Sequence, residues 1–308
     1  MLFNINKVHQ IVSKGIMFIR RRSPIILVPS SIGTMNVERK DIKKDIKRYK
    51  KLILEYKLKN TNEPISIEKD KTIIWIFWQQ GIENAPKLVQ EVVSNNLLKL
   101  SQYDVRVLSQ KDVDLLIDVP EHIQIKWREG IIGNAHYSDI IRIMILLKYG
   151  GMWLDSTVLV TGNNIPEYIT NNKLFLFMNT RDINKIPTKN LNSNWLIYVS
   201  ETHNPVLEVL LLLLTNYWKR NNTINNYFMF HTFLTAVFYY FPEYYSPMIK
   251  VSNVHPHFLQ QEMFSKFSRN KWDAYKKLTD FHKLTYKINV PESVHDTFYD
   301  ELINRGNI

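Results

Sequence analysis

Between Ala135 and Val160 the chain reads AHYSDIIRIMILLKYGGMWLDSTVLV, a helix, a glycine turn and a buried strand in succession. Ile140, Ile143, Met144 and Leu147 recur at helical spacing and give the helix an apolar stripe. Gly150-Gly151 ends it, because glycine takes positive φ without steric cost. Met152, Trp153 and Leu154 then form a short apolar strand that runs out at Asp155. In open α/β sheets, ligands bind at the carboxyl ends of strands. Asp139, Arg142 and Asp155 are therefore expected to converge on one polar spot, in outline a sugar or nucleotide site.

The flanking sequence repeats this alternation. KTIIWIFWQQ (Lys71 to Gln80) reads as a buried first strand, Gly81 to Pro86 as a turn and Lys87 to Leu100 as a helix. YDVRVL (103–108), LFLFM (174–178) and WLIYV (195–199) read as further strands. Asp112 to Ile117, Glu121 to Glu129, Pro205 to Trp218 and Tyr227 to Tyr240 read as helices, the third apolar enough to be core. Strands alternating with helices predict an α/β fold with a mostly parallel sheet.

Composition narrows the function classes. The 308 residues suffice for a sizeable core, and 45% apolar with 12% aromatic content excludes a disordered polymer. Without cysteine there is no disulfide framework, thiolate zinc site or cysteine nucleophile. The nine glycines contain no G-x-G-x-x-G, which argues against a dehydrogenase. A net charge of +11 points to an acidic partner: nucleic acid, anionic lipid or a phosphorylated substrate. No recognised nucleic-acid motif accompanies it, so a nucleic-acid partner is not expected. Ile11 to Ile19 is too short to span a bilayer, and its charges mostly follow it rather than precede it. The expectation is an intracellular, cytoplasmic protein.

The excess charge is local. Residues 39–59 hold ten Lys or Arg against three Asp or Glu, with Ile42, Ile46, Tyr49, Ile53 and Tyr56 at helical intervals. Residues 1–60 are thus expected to be a basic, helical N-terminal extension, joined by Asn60 to Asp70 to a main domain over residues 71–308. Two readings of the helix stay open: it lies on an anionic membrane, or it packs on the main domain.

Two groups of residues invite chemistry. Asp139 and Arg142 share a helix face, where a carboxylate accepts from sugar hydroxyls and a guanidinium holds phosphate. Asp155-Ser156-Thr157 stands where sugar-nucleotide enzymes put a metal ligand, since a divalent ion on a diphosphate needs oxygen donors. Thr157 supplies only a neutral hydroxyl where a second aspartate is common.

AHYSDIIRIMILLKYGGMWLDSTVLV resembles the central signature of the bacterial capsular polysaccharide synthesis glycosyltransferases, relatives of glycosyltransferase family 32 with its mannosyltransferases and glucosylating toxins. IIWIFWQQGIENAP, NWLIYVS, NNYFMFH and FHKLTYK extend the resemblance, in the expected order, over residues 72 to about 288. It implies a GT-A fold, a nucleotide-sugar donor such as a UDP-hexose, and retention of anomeric configuration. By similarity Ser138, Asp139, Arg142 and Asp155 would contact the donor, with Trp78 beside its base and Gly81 in the adjoining turn. His282 and Lys283 would close over the diphosphate, with Asp155, Thr157 and His282 as the set for Mn²⁺ or Mg²⁺. Asn226 and His231, on one helix, would face the acceptor; by residue type alone they read rather as a helix cap and a core histidine. The implied acceptor is an oligosaccharide on a polyprenyl diphosphate at the inner membrane face. Thr157 puts metal dependence in doubt and keeps open an inactive, nucleotide-sugar-binding subunit.

Overall fold

The basic segment folds into one helix, α1 (Ile32–Lys59), in a computed structural model that describes residues 32–59, 63–178 and 192–305. Ile11 to Ile19 and the first half of the expected extension lie outside the described residues. After α1 come β1 (Ile65–Ser66), β2 (Ile73–Phe77), α2 (Lys87–Lys99), β3 (Asp104–Leu108), α3 (Gln110–Leu116) and α4 (Glu121–Arg128). The signature stretch forms α5 (Asn134–Tyr149), β4 (Gly151–Leu154) and β5 (Val158–Val160). Next are α6 (Glu167–Thr170), β6 (Leu174–Met178), β7 (Asn192–Val199) and β8 (Glu201–Thr202). The chain continues through α7 (Pro205–Arg220), α8 (Met229–Tyr240), α9 (Pro242–Tyr245), α10 (Phe258–Glu262), α11 (Arg269–Leu278) and β9 (Phe281–Lys283).

The central sheet has the order β3-β2-β4-β7-β6. β2 pairs in parallel with β3 and β4, whereas β7 runs antiparallel to both β4 and β6. Four strands thus point one way and one against them, a mixed α/β sheet. Side-chain alternation along each strand divides the core. Trp75 and Trp153 face the cluster built with α5, α7 and α8, while Ile74, Ile76, Met152 and Leu154 face the opposite cluster with α2.

The glycine turn behaves as its sequence predicts. Gly150 (φ 64°) closes α5 through its N–H to Leu146 O at 2.8 Å, and Trp75 Nε1 donates to Gly150 O at 2.9 Å. Gly151 has φ 90°, and a Cβ there would stand 2.3 Å from Ile73 O. Only glycine lets β4 start this close to β2.

Helix α1 packs on the body of the protein. Ile42 and Ile53 are fully buried, and Tyr49 meets Phe233 of α8 edge-on at 5.1 Å. Tyr240 Oη donates to Ile46 O at 3.0 Å, and Lys57 Nζ to Tyr240 O at 2.7 Å. The apolar stripe that would have entered a lipid surface is therefore spent on α8. Lys43, Lys44, Lys47, Arg48, Lys50 and Lys51 face outward. No helix among the described residues is long and apolar enough to cross a membrane.

Candidate functional site

The site is assembled where β4 ends. Asp155 follows Leu154 directly, its backbone N–H donates to Trp195 O of β7 at 2.9 Å, and its carbonyl accepts from Val158 N at 2.9 Å. This tight turn, flanked by strands on both sides, holds the carboxylate at the sheet's carboxyl edge. Trp153 Nε1 donates to Asp155 Oδ1 at 3.0 Å and fixes its rotation.

Helix α5 contributes the second layer. Asp139 and Arg142 are only 6% and 5% exposed, so they are a buried pair and not a surface ornament. Arg142 Nη2 lies 3.4 Å from Asp139 Oδ1 and 3.5 Å from Asp155 Oδ1. Its Nε donates to Ser138 O at 3.2 Å, its Nη2 to Ser138 Oγ at 3.2 Å and its Nη1 to Asn194 O. The guanidinium also stands 5.3 Å from the centre of the Trp153 ring. Ser138 thus supports Arg142. Asn194 Nδ2 donates to Asp139 Oδ1 at 2.8 Å and fixes the other partner. A guanidinium held in this way is preorganised.

A two-stranded sheet delivers the third element. β9 pairs antiparallel with β5, opposing Lys283 to Val158, and Leu284 N donates to Thr157 O at 2.9 Å. This brings Lys283, 128 residues away in sequence, to Asp155 Oδ2 at 3.2 Å and into a hydrogen bond with Thr157 Oγ1. Burial alone would raise the Asp155 carboxyl, but Lys283 and then Arg142 outweigh it and hold it below the ordinary value. Burial in turn pulls the Lys283 ammonium down, against the opposing pull of Asp155.

Strand alternation separates Lys283 from its neighbour. His282 is fully buried, 5.1 Å from the Trp272 ring, with Nε2 3.4 Å from Thr161 Oγ1, and burial lowers it to about 4. The expectation that His282 joins Lys283 over a diphosphate is corrected here, because adjacent strand residues face opposite sides. The metal set loses a member with it. Asp155 has Oδ1 engaged by Trp153 and Arg142 and Oδ2 by Lys283, while Thr157 Oγ1 receives Lys283. Among the described residues no group of three or more His, Asp or Glu side chains could hold a metal ion. One carboxylate already bracketed by cations does not fit a resident divalent ion.

The rim is aromatic. Trp78 is partly buried, its Nε1 has no hydrogen-bond partner, and it meets Tyr286 edge-on at 5.1 Å. Gly81 (φ 85°) closes the turn after β2 through its N–H to Trp78 O at 3.0 Å. On the other side, burial and then the Asp139 charge push the Tyr227 hydroxyl up. Its ring meets His136 edge-on at 5.6 Å. His136 Nδ1 has no hydrogen-bond partner and stands 3.7 Å from Asp139 Oδ2. His231, in the first turn of α8, also has an unpartnered Nδ1; burial lowers it to about 4, and it senses Asp139, Arg142 and His136. Asn226 lies before α8 and not on it. Its Oδ1 accepts from Phe228 N at 2.8 Å, a local turn that starts the helix.

The structure therefore gathers Asp139, Arg142, Asp155, Thr157 and Lys283, with Ser138 in support and His231 nearby. His136, Asn194, Tyr227 and Tyr286 were not singled out by sequence reasoning. His136 was legible as the residue one helical turn before Asp139; the others sit inside the quoted segments NWLIYVS, NNYFMFH and FHKLTYK without a spacing that marks them.

The profile of the family described as capsular polysaccharide synthesis protein matches residues 23–302. The chain belongs to this family. The match takes in the whole of α1, which motif resemblance did not reach. Among curated proteins, the chain is similar to the glycosyltransferase afumC of Aspergillus fumigatus, 32% identical over 107 residues, 30% of this chain and 26% of that protein. It is also similar to the O-glycosyltransferase braB of Annulohypoxylon truncatum, 29% identical over 105 residues, 31% of this chain and 24% of that protein. This family member thus spans about a quarter of the length of these relatives. Among solved structures, the PaToxG glycosyltransferase aligns over 88% of this chain and 95% of its own at TM-score 0.40 and 18% identity. The WbbM bifunctional glycosyltransferase aligns over 78% and 50% at TM-score 0.43 and 11% identity.

Proposed function

We propose that this capsular polysaccharide synthesis protein is a glycosyltransferase of GT-A type that moves a sugar from a nucleotide-sugar donor, such as a UDP-hexose, with retention. The observation that carries the reading is Asp155 at the end of the central strand β4, bracketed by Arg142 and Lys283. Two cations over one carboxylate at a strand end suit a ligand that is both hydroxyl-rich and anionic. In this reading Asp139 and Asp155 accept from hydroxyls of the donor, and Arg142 and Lys283 stabilise charge on the departing diphosphate. Trp78 and Tyr286 border the base. The anomeric carbon–phosphate oxygen bond breaks, the acceptor oxygen bonds that carbon on the same face, and a leaving phosphate oxygen takes the acceptor's proton. The protein's part is orientation and electrostatics. His231, neutral at pH 7, lies on the side assigned to the acceptor, an oligosaccharide on a polyprenyl diphosphate at the cytoplasmic membrane face. A divalent ion carried in on the diphosphate would meet an Asp155 carboxylate already engaged by Arg142 and Lys283.

Thr157 and its bond to Lys283 favour a second reading, a nucleotide-sugar-binding subunit without turnover. Donor hydrolysis across UDP-, GDP- and CMP-sugars, with EDTA, Mg²⁺ or Mn²⁺ and with membrane extract as acceptor source, separates the two. The transferase reading expects turnover of one donor, reduced at least about 10²-fold in a folded Arg142→Lys variant that loses the planar fork. Nucleotide binding without turnover under every condition selects the subunit reading. Unchanged turnover in Arg142→Lys removes Arg142 from the site.

A further inference from the structure

The C-terminal turn of α7 has two working faces. Trp218 points toward the site, 6.1 Å from His136. Its neighbours Tyr217, Arg220 and Asn221 instead line a cleft of about 310 Å³ against α1, whose other wall carries Arg48, Lys51, Leu52 and Glu55. Three cations meet one acid there, and that acid is 3.8 Å from Lys51. Arg48 lies 5.4 Å from the centre of the Tyr49 ring, and both Arg48 and Arg220 act on the Tyr49 hydroxyl. The negative end of α7 would ordinarily repel an anion. Here Lys126 covers it, donating to Asn221 O at 3.0 Å and to Trp218 O, so the cleft keeps a positive balance. Tyr49, Leu52 and Tyr217 give the same cleft apolar walls. Lys43, Lys44, Lys47 and Lys50 continue the charge along the outer side of α1.

We propose that this cleft binds the phosphate of an anionic membrane lipid, with Arg48, Lys51 and Arg220 on the phosphate and Tyr49, Leu52 and Tyr217 against the first carbons of the chain. The binding stands on charge and shape alone. The lipid contact is then local, because α8 covers the rest of the apolar stripe of α1.

The test is co-sedimentation of the full chain with phosphatidylcholine vesicles, with or without 30% phosphatidylglycerol. Partitioning to the anionic vesicles only is expected, and the R48E/R220E variant should lose it by about tenfold or more. K43E/K47E, with the same charge change placed on α1 outside the cleft, should lose clearly less. Circular dichroism melts establish that both variants are folded. Equal loss in both variants would make the surface a diffuse basic face and overturn the cleft. Unaltered binding by R48E/R220E, or equal binding to neutral vesicles, overturns it as well. Binding of inorganic phosphate without vesicle partitioning would give the site to a free phosphate and overturn the lipid assignment. None of these readouts depends on donor turnover, so a failed transferase reading leaves the binding result interpretable.

Discussion

Asp155 and Lys283 are charged groups held in a confined space, and their mutual dependence sets the pH behaviour of the site. The Asp155 carboxyl is depressed in the folded protein, so its contribution is fully present above the unfolded value near 3.9 and disappears as pH falls through the lower folded value. Lys283 is the largest source of that depression after burial has acted against it. Lys283→Met removes it and leaves Arg142 as the remaining cation. The Asp155-linked loss of stability in acid should therefore be smaller in Lys283→Met than in the native chain, as followed by thermal melting from pH 7 downward. Superimposable acid limbs would show that Lys283 does not govern the Asp155 carboxyl. Arg142 differs in kind: its value lies in the fixed direction imposed by Ser138, Asn194 and the Trp153 ring.

At the scale of elements, two short connections determine where these side chains arrive. The α5–β4 turn starts β4 against β2, and the pairing of β5 with β9 carries Lys283 to the same edge. Gly151→Ala would impose a side chain at φ 90° and drive Cβ into Ile73 O. It should cost at least about 2 kcal/mol, read as a lower midpoint in urea unfolding with an unchanged slope. A neutral result would mean that the turn relaxes without moving β4. Much of this layer was legible beforehand, because helix period, paired glycines and an apolar run are local signals. The facing of β9 was not. A three-residue strand carries too little alternation to say whether His282 or Lys283 meets Asp155, and its register is set by β5.

Across the whole molecule, α1 belongs to the same cooperative structure as the sheet. Ile53 is fully buried in the cluster that also contains Trp75, Trp153 and the apolar face of α8. Ile53→Ala should therefore destabilise the entire chain by about 2–5 kcal/mol and shift one melting transition. A separate early transition, with the remainder unmoved, would make α1 an independent appendage. By itself the sequence determined what is written locally: the longer helices and the strands of the central sheet, the glycine stop, the carboxylate at the end of β4, the family motifs and the concentration of basic charge. Tertiary structure alone decided which charges meet across long separations, that α1 gives its apolar stripe to α8, that Asn226 makes a turn and that His282 faces the core. The reason is physical. Periodicity reports which face of an element is apolar, whereas the partner that covers that face is chosen by packing among distant elements.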